Sequence, residues 1–187
     1  MKRAVILHGT LGSPEGNWFR WLESELKKRG YEVWLPTLPH TEQPSLRVMS
    51  DFVYKNAPFP LDGTTLLIGH SSGAILALII AQQSKTPLAG LVGVSVFHDN
   101  SLNWSPNSKL FDISFDFEAI QRNTHKILFV HSDNDPYVPL DQARYVADTC
   151  QAKIVIIPGQ GHFNLEQSPT YTQFPKLIET MEQQHIL

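Results

Sequence analysis

A serine hydroxyl attacks a carbonyl only when a base takes its proton and an acid orients that base, so residues that could supply all three roles are the first thing to look for. Gly69-His70-Ser71-Ser72-Gly73 has the G-x-S-x-G form. It directly follows the apolar run Leu66-Leu67-Ile68 and opens Ala74-Ile75-Leu76-Ala77-Leu78, the strand-turn-helix setting that lifts a serine out of a sheet as a nucleophile. Ser71 would sit in a strained turn, and the glycines two residues to either side keep Cβ atoms out of the crossing strand and helix. Ser72 N–H, at the start of the helix, would offer one oxyanion donor. Downstream, His131-Ser132-Asp133-Asn134-Asp135-Pro136-Tyr137-Val138-Pro139 carries two candidate acids, and Gly159-Gln160-Gly161-His162-Phe163 carries a candidate base. His8-Gly9-Thr10-Leu11-Gly12 is placed to give the second oxyanion donor, from Thr10 N–H or, in a turn one residue longer, from Leu11 N–H.

The elements around these motifs decide whether they can meet. Residues 3–7, 32–35, 64–68, 91–96, 126–130 and 153–157 are short, nearly continuous apolar runs, as strands buried on both faces must be. Helical spacing fills the intervals at 18–29, 45–55, 72–83, 117–123, 140–149 and 170–184. Strict alternation of strand and helix predicts parallel pairing with crossover helices on both faces, a three-layer α/β/α sandwich. Ser71, the two aspartates and His162 each follow a strand, so all project from one sheet edge, where open α/β sheets place their sites. Their order, Ser then Asp then His, is the α/β-hydrolase order.

Length and composition narrow the rest. The 187 residues predict one domain, with an irregular Asn-, Ser- and aromatic-rich insertion at about 98–116 that could cover a pocket. A hydrophobic content of 42% excludes intrinsic disorder, and a formal charge of −3 with no basic stripe speaks against a nucleic-acid partner. The longest apolar run, residues 74–81, is eight residues, against about 20 for a membrane span. The first apolar stretch, Ala4 to Leu7, is too short for a signal sequence, so a cytoplasmic protein is expected. Cys150 is the only cysteine, which excludes an internal disulfide and a cysteine-rich zinc site.

Other patterns fail. Gly159-x-Gly161 has Asn164 where a dinucleotide fingerprint needs a small residue, and Asp133-x-Asp135 lacks the later ligands of a calcium loop, so neither cofactor nor metal is expected. His70, His98 and His131 flank the site and read as packing or lining rather than as reacting groups. Aromatic residues near the strand-end loops, together with His8 and His70, make the candidate pocket wall: Trp18, Phe97, Trp104, Phe111 and Phe163.

Taken together, Gly69-His70-Ser71-Ser72-Gly73-Ala74-Ile75, residues 132–139, Gly161-His162-Phe163, Asn17-Trp18-Phe19-Arg20-Trp21-Leu22 and Leu38-Pro39 resemble the small α/β-hydrolase-fold serine hydrolases related to retinoblastoma-binding protein nine and their bacterial homologues. The resemblance covers most of the chain. It implies a six-stranded sheet in the order 2-1-3-4-5-6 and selects Asp135 over Asp133 as the acid. His8-Gly9 matches the bacterial type, whereas some relatives have Pro-Gly there. The L-x-C-x-E motif for pocket proteins is absent, since Cys150 stands in Asp148-Thr149-Cys150-Gln151-Ala152, so that partner is not expected.

The reading that follows is a serine hydrolase with the triad Ser71, Asp135 and His162, an oxyanion hole of Thr10 and Ser72 amides, and a small acyl substrate and water as partners, with no nucleic acid or membrane among them. Carboxylic esters are the expected substrates, and amides, peptides or thioesters the alternatives for the same triad. A non-catalytic interaction module on a hydrolase scaffold is the competing class. It gives no reason to keep all three triad residues.

Overall fold

The structure, a computed structural model, describes residues 1–99 and 109–187. Its strands are β1 (Lys2–Leu7), β2 (Tyr31–Trp34), β3 (Thr65–His70), β4 (Gly90–Val94), β5 (Ile127–His131) and β6 (Lys153–Ile156). Its α-helices are α1 (Phe19–Lys28), α2 (Leu46–Asn56), α3 (Ser72–Gln83), α4 (Phe117–Arg122), α5 (Leu140–Thr149) and α6 (Pro175–Gln183). All sheet pairings are parallel, in the order β2-β1-β3-β4-β5-β6. The parallel sheet is what the alternation of strand and helix predicts, and its order is the one the family resemblance implies.

Alternation along the strands divides the core in two. Val5, Leu7, Leu67, Leu91 and Phe129 face α2, α3, α4 and α5, while Ala4, Ile6, Leu66, Ile68, Val92, Val94, Leu128 and Val130 face α1 and α6. The central strands β3 and β4 are buried along their whole length, so apolar residues on both faces are required and the sequence shows a continuous run. Ten consecutive residues of α3, Ser72 to Ala81, are buried, which explains why this helix has no polar face.

One element differs from the expected pattern. The stretch read as a single helix over 170–184 is a 3-10 turn at Pro169–Thr172 followed by α6, with Gln173 extended and Phe174 out of helical geometry between them, the latter at φ −140° and ψ 66°. Pro175 causes the break: its ring pushes the preceding residue out of helical geometry, and its missing N–H is tolerated only in the first turn.

Candidate active site

Ser71 is the single residue between β3 and α3, and its backbone takes φ 56° and ψ −125°. A side chain in that region is strained and persists only where its surroundings impose it. Here they do so on two sides. Ser71 N–H donates to Val94 C=O at 2.9 Å, pinning the turn to β4. A Cβ on Gly69 would lie 2.2 Å from Gly73 O, and one on Gly73 would lie 2.2 Å from Leu7 O, so only glycines let α3 start this close to β3 and β1.

The acid and the histidine meet at the same edge. His162 Nδ1 lies 2.8 Å from Asp135 Oδ2, and both side chains are almost wholly buried. Asp135 Oδ2 also accepts from the Ser95 hydroxyl at 2.8 Å, while Oδ1 accepts from Tyr137 N–H at 2.9 Å and Val138 N–H at 3.0 Å. Burial pushes the Asp135 carboxyl up, but the His162 hydrogen bond and charge, with the Val138 and Ser95 donors, outweigh it and hold the group below the usual carboxylate range. Asp133 points elsewhere, accepting from Gly159 N–H at 2.8 Å.

Because Asp135 is a carboxylate acceptor, His162 Nδ1 carries the proton and Nε2 is left as the basic nitrogen. Ser71 Oγ makes no hydrogen bond to His162 in this structure, a looseness common before substrate binds. The imidazole packs against two rings, with centroids of His70 at 4.8 Å and of Tyr137 at 5.0 Å. Its loop is tied from below: Gln160 N–H donates to Ser132 Oγ and Gly161 N–H to Asn134 Oδ1, while the carbonyls of His162 and Phe163 accept from His70 Nε2 at 2.8 Å and Trp18 Nε1 at 2.9 Å.

The loop after β1 is joined to the start of α3. Thr10 Oγ1 donates to Ser72 Oγ at 2.9 Å. Leu11 N–H is taken by Thr41 C=O at 2.9 Å, whereas Thr10 N–H finds no acceptor among the described residues; Ser72 N–H, in the first helical turn, has no intrahelical partner either. His8 lies beneath this loop, almost fully buried. Its Nε2 accepts from Leu38 N–H at 3.1 Å, so Nδ1 bears the proton and faces Gly9 C=O at 3.2 Å. Desolvation keeps its pKa below the ordinary histidine value, against the raising effect of Gly9.

The aromatic wall expected from sequence needs correcting. Trp18 and Phe163 are fully buried beneath the histidine loop, packed with Phe174, and have no surface to offer a substrate; His8 and His70 are likewise core residues. Phe97 is 2% exposed and meets the half-buried Phe111 edge-on at 5.8 Å. Trp104 lies outside the described residues. The reason is that sequence position fixes which end of a strand a residue is near, not the direction of its side chain. His98 stacks on Tyr145 at 4.1 Å, and His131 is fully buried, donating Nε2–H to Val138 C=O at 2.9 Å. Among the described residues no cluster of three or more His, Cys, Asp or Glu is placed to hold a metal, and no helix is long and apolar enough to cross a membrane.

Ser95 escaped the sequence reading, although its place one residue after β4 puts it at the same edge. It adopts a left-handed φ of 54°, a conformation uncommon for serine that turns its hydroxyl onto Asp135.

Comparison with known proteins identifies the fold and the family. The ydeN gene product of Bacillus subtilis (strain 168) is 26% identical over 184 residues, 96% of this chain and 94% of that protein; its crystal structure superposes with a TM-score of 0.87, covering 99% of each chain. The serine hydrolase RBBP9 of Rattus norvegicus is also 26% identical, with the same coverage. Est1E from Butyrivibrio proteoclasticus, solved with ferulic acid bound, shares the fold at a TM-score of 0.74 and 17% identity, over 100% of this chain and 90% of that one. A family model described as Serine hydrolase matches residues 4–183, and the chain therefore belongs to the serine hydrolase family.

Proposed function

We propose that the chain hydrolyses small carboxylic esters through an acyl-enzyme on Ser71. The observation that carries this reading is the buried Asp135–His162 pair at the sheet edge that also holds a strained, singly placed Ser71. His162 Nε2 takes the Ser71 proton as Oγ attacks the ester carbonyl, and the tetrahedral oxyanion is held by Thr10 and Ser72 N–H. Imidazolium then gives its proton to the departing alkoxide, and the alcohol leaves. Water, deprotonated by the same nitrogen, attacks the acyl-enzyme and releases the acid, returning the proton to Ser71. Asp135 stays ionised throughout: it fixes the tautomer and stabilises the transient imidazolium.

The fold-neighbour Est1E is seen with ferulic acid bound, and a carboxylic ester of a small aromatic acid would present the same acyl group.

The test is a panel of aryl esters from acetate to decanoate, run beside the matching anilides and thioesters, with Ser71→Ala as control. The expected result is turnover that is highest for the short esters and falls by at least about 10³-fold in the variant. Turnover that survives in Ser71→Ala overturns the nucleophile assignment. Faster cleavage of anilides than of esters overturns the substrate class.

A further inference from the structure

His70 occupies the x before the serine in the elbow, the last residue of β3, and the ester-hydrolase reading gives it no task. It is 3% exposed. Filling that place would be served as well by phenylalanine or leucine, and burying an imidazole is unfavourable unless its polar atoms find partners. Here the imidazole has one specific partner: Nε2 lies 2.8 Å from the main-chain carbonyl of His162. A carbonyl can only accept, so Nε2 bears the proton.

The carbonyl it holds belongs to a segment that would not hold itself. Gly161 and Phe163, on either side of His162, have φ of 57° and 53°, and a left-handed phenylalanine needs external restraint. The restraint on the carbonyl side is the pair of buried donors His70 Nε2–H and Trp18 Nε1–H, on consecutive carbonyls. The His70 ring also lies against the imidazole of His162, 4.8 Å between centroids. Trp18 and Phe19 pack on its other sides and carry no charge.

We propose that His70 is a positioning residue, which through its hydrogen bond to the His162 carbonyl and its ring contact keeps the base aimed at Ser71 and its Nδ1–H on Asp135. This inference rests on the triad reading above. The titratable groups that act on His70 are His162 and Asp135, and His131 at the end of β5 feels the same pair. Burial, reinforced by His162, drives the His70 pKa down to about 3, so it stays neutral beside His162 when that ring becomes an imidazolium. With the hold released, the Nδ1–H bond to Asp135 loosens and Nε2 loses its aim at Ser71.

The experiment follows phosphonylation of Ser71 by a fluorophosphonate against pH, per folded molecule, in the wild type, His70→Leu and His70→Gln. The glutamine amide can place an N–H where the imidazole Nε2 is. His70→Leu should react about tenfold or more slowly at neutral pH, on the scale that small misplacements of a reacting group cause, with a pH profile displaced from that of the wild type. His70→Gln should recover most of the rate and the wild-type midpoint. A packing residue would lower thermal stability but leave the midpoint unmoved. A wild-type midpoint and rate in His70→Leu overturn the proposal while the triad stands; a wild type that does not react overturns the triad reading and this one together. Should His70→Leu fail to fold, long-range ¹H–¹⁵N spectra of the wild type decide. A protected Nε2–H on a neutral His70 from pH 8 to 5 supports the proposal, and the Nδ1–H tautomer or a titrating ring contradicts it.

Discussion

Asp135 accepts four hydrogen bonds, two on each oxygen, and this saturation is what keeps a buried carboxyl ionised against the cost of desolvation. Two substitutions separate its functions. Asp135→Asn leaves the size unchanged but presents an amide that favours the wrong tautomer of His162, and kcat should fall by about 10³–10⁴-fold, measured on an aryl acetate. Ser95→Ala removes one donor and leaves the imidazole bond, so kcat should fall by only about tenfold; a loss as large as that of Asp135→Asn would contradict the ordering. At this scale the sequence was informative where a residue type is chemically required. Ser71, a downstream aspartate and a downstream histidine follow from that need. Ser95 and the donor role of His70 were not legible, because each depends on where one hydroxyl or one ring nitrogen points, which tertiary packing decides. Trp18 and Phe163 failed as lining for the same reason: they support the histidine loop from inside the core.

Among the elements, the crossing of β1, β3 and α3 sets the tolerance of the whole site. Gly73→Ala would drive a methyl to 2.2 Å from Leu7 O, a backbone atom that cannot rotate away, so α3 would have to shift off β1. The expected outcome is a loss of roughly 3 kcal/mol or more in denaturant unfolding, or no folded protein. A stability within about 1 kcal/mol of wild type would show that the helix can move. Strands and helices were readable because their apolar patterns are those of a doubly covered parallel sheet. For α3, buried all round, the strand-turn-helix context of the glycines and serine did the work that periodicity could not. Pro175, which cuts the final helical stretch, is a local signal that helical spacing over 170–184 concealed.

For the molecule as a whole, burial of neutral histidines makes stability depend on pH. Desolvation lowers the pKa of His8, His70 and His131, so below about pH 6.5 the unfolded chain binds protons that the folded one refuses. Stability should therefore fall as pH drops below that value. His70 alone, with a folded pKa of about 3, contributes about 1 kcal/mol per pH unit. The depressed carboxyl of Asp135 adds stability that is present above the usual carboxylate pKa and is lost further into acid, with the same sign. Urea titrations from pH 8 to 5 should show the midpoint declining in the lower half of that range, and a flat profile would contradict the buried, neutral state of these rings. The central claim, however, is that the edge of this sheet activates one serine. Intact-mass analysis after treatment with a fluorophosphonate tests it most directly. The wild type should gain a single phosphonyl group, mapped to Ser71, and Ser71→Ala none; a folded wild type that stays unlabelled, or equal labelling of the two proteins, would contradict it.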